Sequence, residues 1–434
     1  MAESEFSRSS ITAALGAGVG FMLSVSAFVN PIFGVFMMPL THEFGWGRGE
    51  ISATHTFYSW TMAACFLVTG RLMDRLGVRA VLLPGIALLS LTIASMSLQN
   101  GSIALLYAQY MMVGVCGSLG GLLAYSKVIS GWFHRHRGIL LSVMSVGGIV
   151  SAGLVPQLAN AMINDFGWRG AYLGLGALML VIGLPVVGLL VREAPMIVAT
   201  RGAASPAQRR EQQKLGMSGT EARRSWAFAL CVASAALVIV TNSAMIAHTV
   251  PLLTDRGLPR GSAVMVMTLI GIGGGCGHLL CGFLLDRIDT PRLAMPFAAC
   301  ALIGVLLLQY GDGYPLYLIA GACLGAGITA DSAAIAYFLT RFFGIRAFGE
   351  IYGMLWAIAA IVSGLGPPLM GWVYDKTGSY QWGLTAVEGA LVLIMLCYFL
   401  MPPYRFPARL NAFQADDEAE NVTQDRLRPV GNAG

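Results

Sequence analysis

The segment PLTHEFGWGRG (Pro39–Gly49) comes back 212 residues later as PLLTDRGLPRG (Pro251–Gly261). In this register Pro39 pairs with Pro251, Glu43 with Asp255, Gly45 with Gly257 and Arg48 with Arg260. The same offset lays the first six positions of GRLMDRLGVR (Gly70–Arg79) on GFLLDR (Gly282–Arg287), and with a one-residue slip GLVPQL (Gly153–Leu158) meets GLGPPL (Gly364–Leu369). Agreement at one spacing, repeated along the chain, identifies two copies of one unit.

Composition says what kind of unit it is. The 434 residues are 56% hydrophobic and 11% charged, with a mean hydropathy of +0.69, a balance that suits a bilayer and not water. A spanning helix needs about 20 mostly apolar residues. Runs of that kind fall near 13–38, 52–72, 79–98, 102–127, 138–163, 170–191, 226–252, 262–285, 292–310, 315–339, 348–373 and 380–401. Six crossings return a chain to the side it left, so both copies share one orientation. The expected fold is an all-α membrane protein of twelve transmembrane helices in two parallel-repeat six-helix bundles. Residues 1–195 form the first bundle, 196–224 a polar, basic cytoplasmic linker, 225–402 the second bundle and 403–434 a disordered tail.

Arg48, Arg169, Arg256, Arg260 and Lys376 fall on one side of the runs and the other 22 of the 27 Lys and Arg on the opposite side. The positive-inside rule then makes both termini cytoplasmic. The net charge of +5 is accounted for by topology, so the lipid bilayer is the expected partner and nucleic acid is not. The opening MAESEFSRSS is followed by no small-residue cleavage site, and the first run is expected to stay as a helix. All eight cysteines fall in apolar runs without a CxxC pair, which reads as free buried thiols and no metal or other cofactor.

An ATP-driven pump needs a GK[ST] phosphate loop, and Lys127, Lys214 and Lys376 follow Ser, Gln and Asp. His134 and His136 are the nearest approach to an enzyme's clustered ligands, and they flank Arg135 in a short loop. The chain is therefore not expected to be an enzyme.

Two parallel six-helix repeats are the arrangement of major facilitator superfamily transporters, and Gly70, Asp74, Arg75, Gly77 and Arg79 match that superfamily's signature loop between helices 2 and 3. VFMMPLTHEFGWGRGEIS, WFHRHRGILLSVMSVGGIVSAG, NDFGWRGAY, RFFGIRAFGEIYG and GPPLMGWVYDKTGSY resemble the bacterial branch of the monocarboxylate transporter and oxalate:formate antiporter group. The resemblance implies a monomeric secondary transporter in a bacterial inner membrane. It would move a small organic anion, a mono- or aromatic carboxylate, by alternating access in symport with protons. Anion/anion antiport and a non-transporting solute sensor are the alternatives. It also implies that helices 1, 4, 7 and 10 line a central cavity. Asp74 and Arg75 would close the cytoplasmic side against helix 11, and Asp286 and Arg287 would do so against helix 5, with Gly70 allowing close approach.

Polar groups inside a bilayer are costly, so each one on these runs is a site candidate. Substrate-binding candidates are Asn30 before Pro31, Tyr58, Tyr125, Lys127, Asn242, His248, His278 within GIGGGCGHLLCG, and Tyr337. Asp331, in GAGITADSAAIAYFLTRFF, is expected to couple protons, because an acid about 5 Å from mid-membrane is costly to keep charged. The Arg that the group places in helix 8 and the Lys of the oxalate antiporter's helix 11 are missing at mid-membrane here. Glycines Gly271 to Gly277, with Gly321, Gly325 and Gly327, read as close-packing surfaces.

Overall fold

The computed structural model describes residues 7–133, 137–192, 216–285, 287–288, 290–344 and 347–406. Most of the expected tail and of the expected linker, with His134 to His136 and Asp286, lies outside the described residues, and for Asp74 and Asp331 only the backbone is described.

Among the described residues twelve helical rods follow one another. α1 is broken, Arg8–Met22 then Asn30–Phe44, with a π-turn Val25–Val29 between them. The break has a local cause: Ser24 caps the turn from its side chain, and Pro31 opens the second segment. α2 is Arg48–Leu76 and α3 is Val78–Ser95. α4 joins Ile103–Leu119 to Leu122–Trp132 across Gly120 and Gly121. α5 (137–166) and α6 (168–190) meet at Gly167, whose φ of 70° lets the chain turn. The second half has α7 (Trp226–Asp255), α8 (Arg260–Leu285), α9 (Met295–Tyr310) and α10 (Tyr314–Phe343). It ends with α11, as Phe348–Ser363 and Gly366–Thr377, and α12 (Gln381–Leu400). Among the described residues nine stretches are long and apolar enough to cross a membrane, and Val143–Leu190 holds parts of two rods.

One end of the bundle carries the turn at Gly45 and its repeat at Gly257; here it is called the Gly45 end. The other, the linker end, carries the short helix Gly219–Arg223. There Gly216 bridges Gly344 and Arg223 pairs with Glu350, so this segment is fastened to α10 and α11.

Within the second half α8 and α10 pack backbone to backbone. A side chain at Gly273 or Gly277 would overlap Ala322 or Ala326, and one at Gly325 would meet the Ile270 carbonyl, so these glycines do form a close-packing surface. Two expectations change. Among the described residues Gly70 has no atom within 4 Å of where a side chain would start. Cys276 is exposed, since the glycines around it occupy the packed face of α8.

Candidate functional site

The prolines of the repeats build the seam between the halves. A proline has no N–H to give the carbonyl four residues back. In α11, Pro367 and Pro368 therefore leave the Ser363 and Gly364 carbonyls open. Ser243 donates to the Ser363 carbonyl at 2.9 Å, and Thr56 of α2 donates to the Gly364 carbonyl at 2.6 Å. Leu365 N–H turns to Val362, which frees the Ile361 carbonyl for the Trp60 indole at 3.0 Å. In α7, Pro251 likewise leaves the Ala247 carbonyl without its helical donor, and Gly34 of α1 packs directly on it.

At the Gly45 end this seam finishes in a charged lock. The left-handed Gly45, φ 69°, turns the chain so that α2 begins at Arg48 facing the other half. The Arg48 guanidinium donates to both Asp255 oxygens, at 2.6 and 2.7 Å, and to the Tyr380 hydroxyl at 2.9 Å. It lies 3.9 Å from the centre of the Tyr374 ring, and Arg48 is only 5% exposed. Asp375 accepts from the backbone N–H groups of Arg48 (2.9 Å) and Gly49 (2.7 Å), so a carboxylate of α11 caps the positive end of α2. A forked guanidinium on a carboxylate is the strongest pairing a side chain offers. Here it ties α2 to α7 and, through Asp375, to α11.

Beneath the lock a chain of hydrogen bonds has one direction. A carbonyl only accepts, so His248 Nε2 donates to the Pro367 carbonyl at 2.9 Å, with Ser52 Oγ at 3.1 Å beside it. Its Nδ1 then accepts from Tyr380 at 3.0 Å, and Tyr380 accepts from Arg48. Burial pushes the Tyr380 phenol above its ordinary value, which keeps its proton available for His248. One turn from Ser52, His55 is 5% exposed, and its Nε2 has no hydrogen-bond partner among the described residues. Its ring lies 4.7 Å from that of Phe33 and 5.7 Å from that of Tyr58. Neither His55 nor the Arg48 lock was expected; a buried histidine flanked by hydroxyl residues in SATHTFYSW was the available signal. Leaving a buried polar atom unmatched costs about 1–3 kcal/mol. His55→Phe is therefore expected to hold or raise the melting temperature and leave transport intact. A folded His55→Phe protein that has lost transport would give the ring a functional role.

The expected site residues separate into groups. Tyr58 is buried at the seam, with the Asn30 side chain near its hydroxyl. Asn30 maps on Asn242 under the 212-residue offset, so α1 and α7 present a two-fold-related pair of half-buried amides. Asn242 lies six residues below His248, about 9 Å along α7. Tyr125 and Tyr337 are also related by the offset, but both are occupied by packing. Tyr125 is fully buried against Gly20 and Phe21, and Tyr337 accepts from Arg341 at 2.7 Å near the linker end. Lys127 is half-buried on α4. His278 faces the Thr329 carbonyl of α10 at 3.4 Å, away from the lock. Among the described residues no group of His, Cys, Asp or Glu could hold a metal ion.

At the linker end the geometry is reversed. Gly70 of α2, Gly282 of α8 and Gly353 of α11 each face open space. Gly77, φ 93°, ends α2, and Arg79 donates to the Val191 carbonyl of its own half at 3.3 Å. Arg287 stacks on Phe283 at 4.0 Å, and Arg75 is exposed. On α5 and α8 the cross-half contacts run from Gln157–Thr268 (3.2 Å) and Thr268–Gly153 (2.8 Å) to Ile149–Gly275. Among the described residues the halves are thus joined at the Gly45 end, and glycines of α2, α8 and α11 face open space at the other.

Residues 17–355 match the family described as Major Facilitator Superfamily. Monocarboxylate transporter 11 of Mus musculus is 29% identical over 72% of this chain and 70% of its own length. Monocarboxylate transporter 4 of Gallus gallus is 23% identical over 90% and 84%. A bacterial homolog of the human lysosomal transporter Spinster, crystallised inward-facing and unoccupied, superposes with a TM-score of 0.71 at 16% identity, covering 91% of this chain and 97% of that one. The nucleoside transporter NupG gives 0.70 at 14%, covering 91% and 100%.

Proposed function

The chain belongs to the Major Facilitator Superfamily, and from that premise we propose that it carries a small organic anion, a mono- or aromatic carboxylate, by alternating access in symport with protons. The observation that carries this reading is the seam closed at one end only. Two halves joined by a breakable lock at one end and apart at the other are what a rocking carrier has in one of its two states. The similarity to monocarboxylate transporters supports the anionic substrate.

The distribution of Lys and Arg supports a Gly45 end outside and both termini in the cytoplasm, so that this state opens inward; the membrane in this reading is a bacterial inner membrane. Asn30, Asn242, Tyr58 and His248 then form the roof of the cavity, with Lys127 and His278 on its flanking walls. Asp331, on α10, takes and gives the coupled proton. In the opposite state Asp74, with Arg75 and Arg79, closes against α11, and Asp286 with Arg287 closes against α5. Asp74→Asn is expected to cut transport about tenfold or more while leaving substrate binding measurable, because it shifts the balance of states and not the ligand contacts. Wild-type transport by a well-folded Asp74→Asn protein would leave that loop with topology alone.

Counterflow in proteoliposomes tests the reading. Internal unlabelled carboxylate should drive transient uptake of the labelled species, and neutral solutes should not. Binding without exchange would identify a sensor, and exchange that never moves protons would identify an anion/anion antiporter.

A further inference from the structure

Away from the seam and the lock, α9 and α10 carry two cysteines at one crossing. The helices run antiparallel and in close contact. A side chain at Gly304 of α9 would begin 2.6 Å from the Leu324 nitrogen and 2.8 Å from the Ala320 oxygen of α10. One at Gly327 of α10 would begin 2.5 Å from the Ala301 Cβ of α9 and would overlap the Phe297 carbonyl. Residues three and four apart share a helix face. Cys300 is three beyond Phe297 and four short of Gly304, so it lies on the contact face of α9. Cys323 is three beyond Ala320 and four short of Gly327, so it lies on the facing side of α10. The two glycine contacts therefore bracket both cysteines, and the Cys323 thiol is a direct neighbour of the Cys300 thiol. Each cysteine is half-buried, and neither is in a disulfide.

We propose that Cys300 and Cys323 are a modification site, a dithiol that an apolar hydroperoxide in the acyl layer converts to a disulfide. One sulfur attacks the hydroperoxide: the O–O bond breaks, an S–O bond forms, and the thiol proton leaves with the alcohol. The second sulfur then attacks the first. The S–S bond forms, and the hydroxyl leaves as water with the second thiol's proton. The hydroperoxide gains two electrons, and the two thiols together lose them. The position in the fold sets this chemistry. Cys300 lies about 8 Å from the start of α9 and Cys323 about 14 Å from the start of α10, both within apolar helices. An oxidant dissolved in lipid reaches them, and a charged one such as glutathione disulfide is held back by the cost of entering the bilayer. Adjacent sulfurs make the second step intramolecular, so a sulfenic acid on either one is captured before it is oxidised further. The bond fastens α10 to α9 inside the second half and leaves the seam between the halves untouched. The site does not depend on which solute the chain carries.

The test uses protein in liposomes that keeps Cys300 and Cys323, with the other six cysteines replaced by alanine. It is exposed to cumene hydroperoxide or to glutathione disulfide, and the intact mass, the thiols titrated after unfolding and the linked peptides are read. Cumene hydroperoxide is expected to remove both thiols together, with loss of two hydrogens, a peptide joining Cys300 to Cys323, and return of both thiols with dithiothreitol. Glutathione disulfide should act at least about tenfold more slowly. In Cys300→Ser, and equally in Cys323→Ser, no second sulfur captures the first. At least about tenfold more of the remaining thiol should then pass to products that dithiothreitol does not restore. Thiols that stay titratable after an exposure that oxidises the unfolded protein overturn the site. So does loss of one thiol without the other, or a disulfide found between two molecules and not within one.

Discussion

Arg48→Ala is expected to lower transport about a hundredfold while the protein remains folded. The substitution strands Asp255, Tyr380 loses its donor, and the Tyr374 ring loses its cation. Breaking a buried ion pair costs about 3–5 kcal/mol, and the low end applies because a quarter of the Asp255 side chain is exposed. About 3 kcal/mol is close to a hundredfold in the balance between the two states. The loss falls on the state closed at the Gly45 end, so the carrier collects in the other one. A cysteine at Ser52, fully buried beneath the lock, should then react with an impermeant reagent added from that side. Exchanging the charges, Arg48→Asp with Asp255→Arg, should recover part of the activity. Unchanged transport by Arg48→Ala would mean that the lock does not limit the cycle.

Much of the architecture was legible in the sequence for a physical reason. Bilayer spans are set by apolar length, and the repeat is carried by prolines and glycines whose backbone consequences are local. Pro367 and Pro368 open carbonyls wherever α11 is placed, and Gly277 permits close packing wherever a partner arrives. The site was less legible because its parts are distant in sequence. Arg48 reads as one loop cation among five on its side until Asp255, 207 residues on, meets it. His55 reads as an ordinary polar interruption until Phe33 covers it. Tyr125 and Tyr337 read as cavity hydroxyls because hydropathy does not say which face of a long apolar helix is packed; the Tyr125 ring lies against Gly20 and Phe21, and the Tyr337 hydroxyl accepts from Arg341.

Asp331→Asn is expected to abolish uphill accumulation and to leave exchange in place. The asparagine keeps the size and hydrogen bonding of the acid but cannot load a proton. An ion gradient drives a carrier only through a group whose occupancy changes the affinity for substrate, and that coupling is reciprocal. With the group fixed, a proton gradient does no work on the substrate, whereas counterflow needs no net proton movement. Accumulation should fall from several-fold above equilibrium to none at an imposed gradient, with counterflow within about twofold of wild type. Accumulation at the wild-type level removes Asp331 from the coupling, and loss of substrate binding makes it a ligand.

In a rocking carrier the two halves must part and rejoin at the Gly45 end in every cycle. A side chain at Gly364 would begin 3.3 Å from the Ser59 Cβ, close to the roughly 3.5–4.5 Å that a disulfide spans. Ser59→Cys with Gly364→Cys, in a background with the eight native cysteines replaced by alanine, is therefore expected to cross-link on oxidation. Labelled-substrate counterflow in proteoliposomes is then measured before oxidation, after it, and after reduction. Counterflow is expected at background level in the cross-linked protein, with full recovery on reduction. Counterflow at the unoxidised rate in fully cross-linked protein would mean that the halves need not part there.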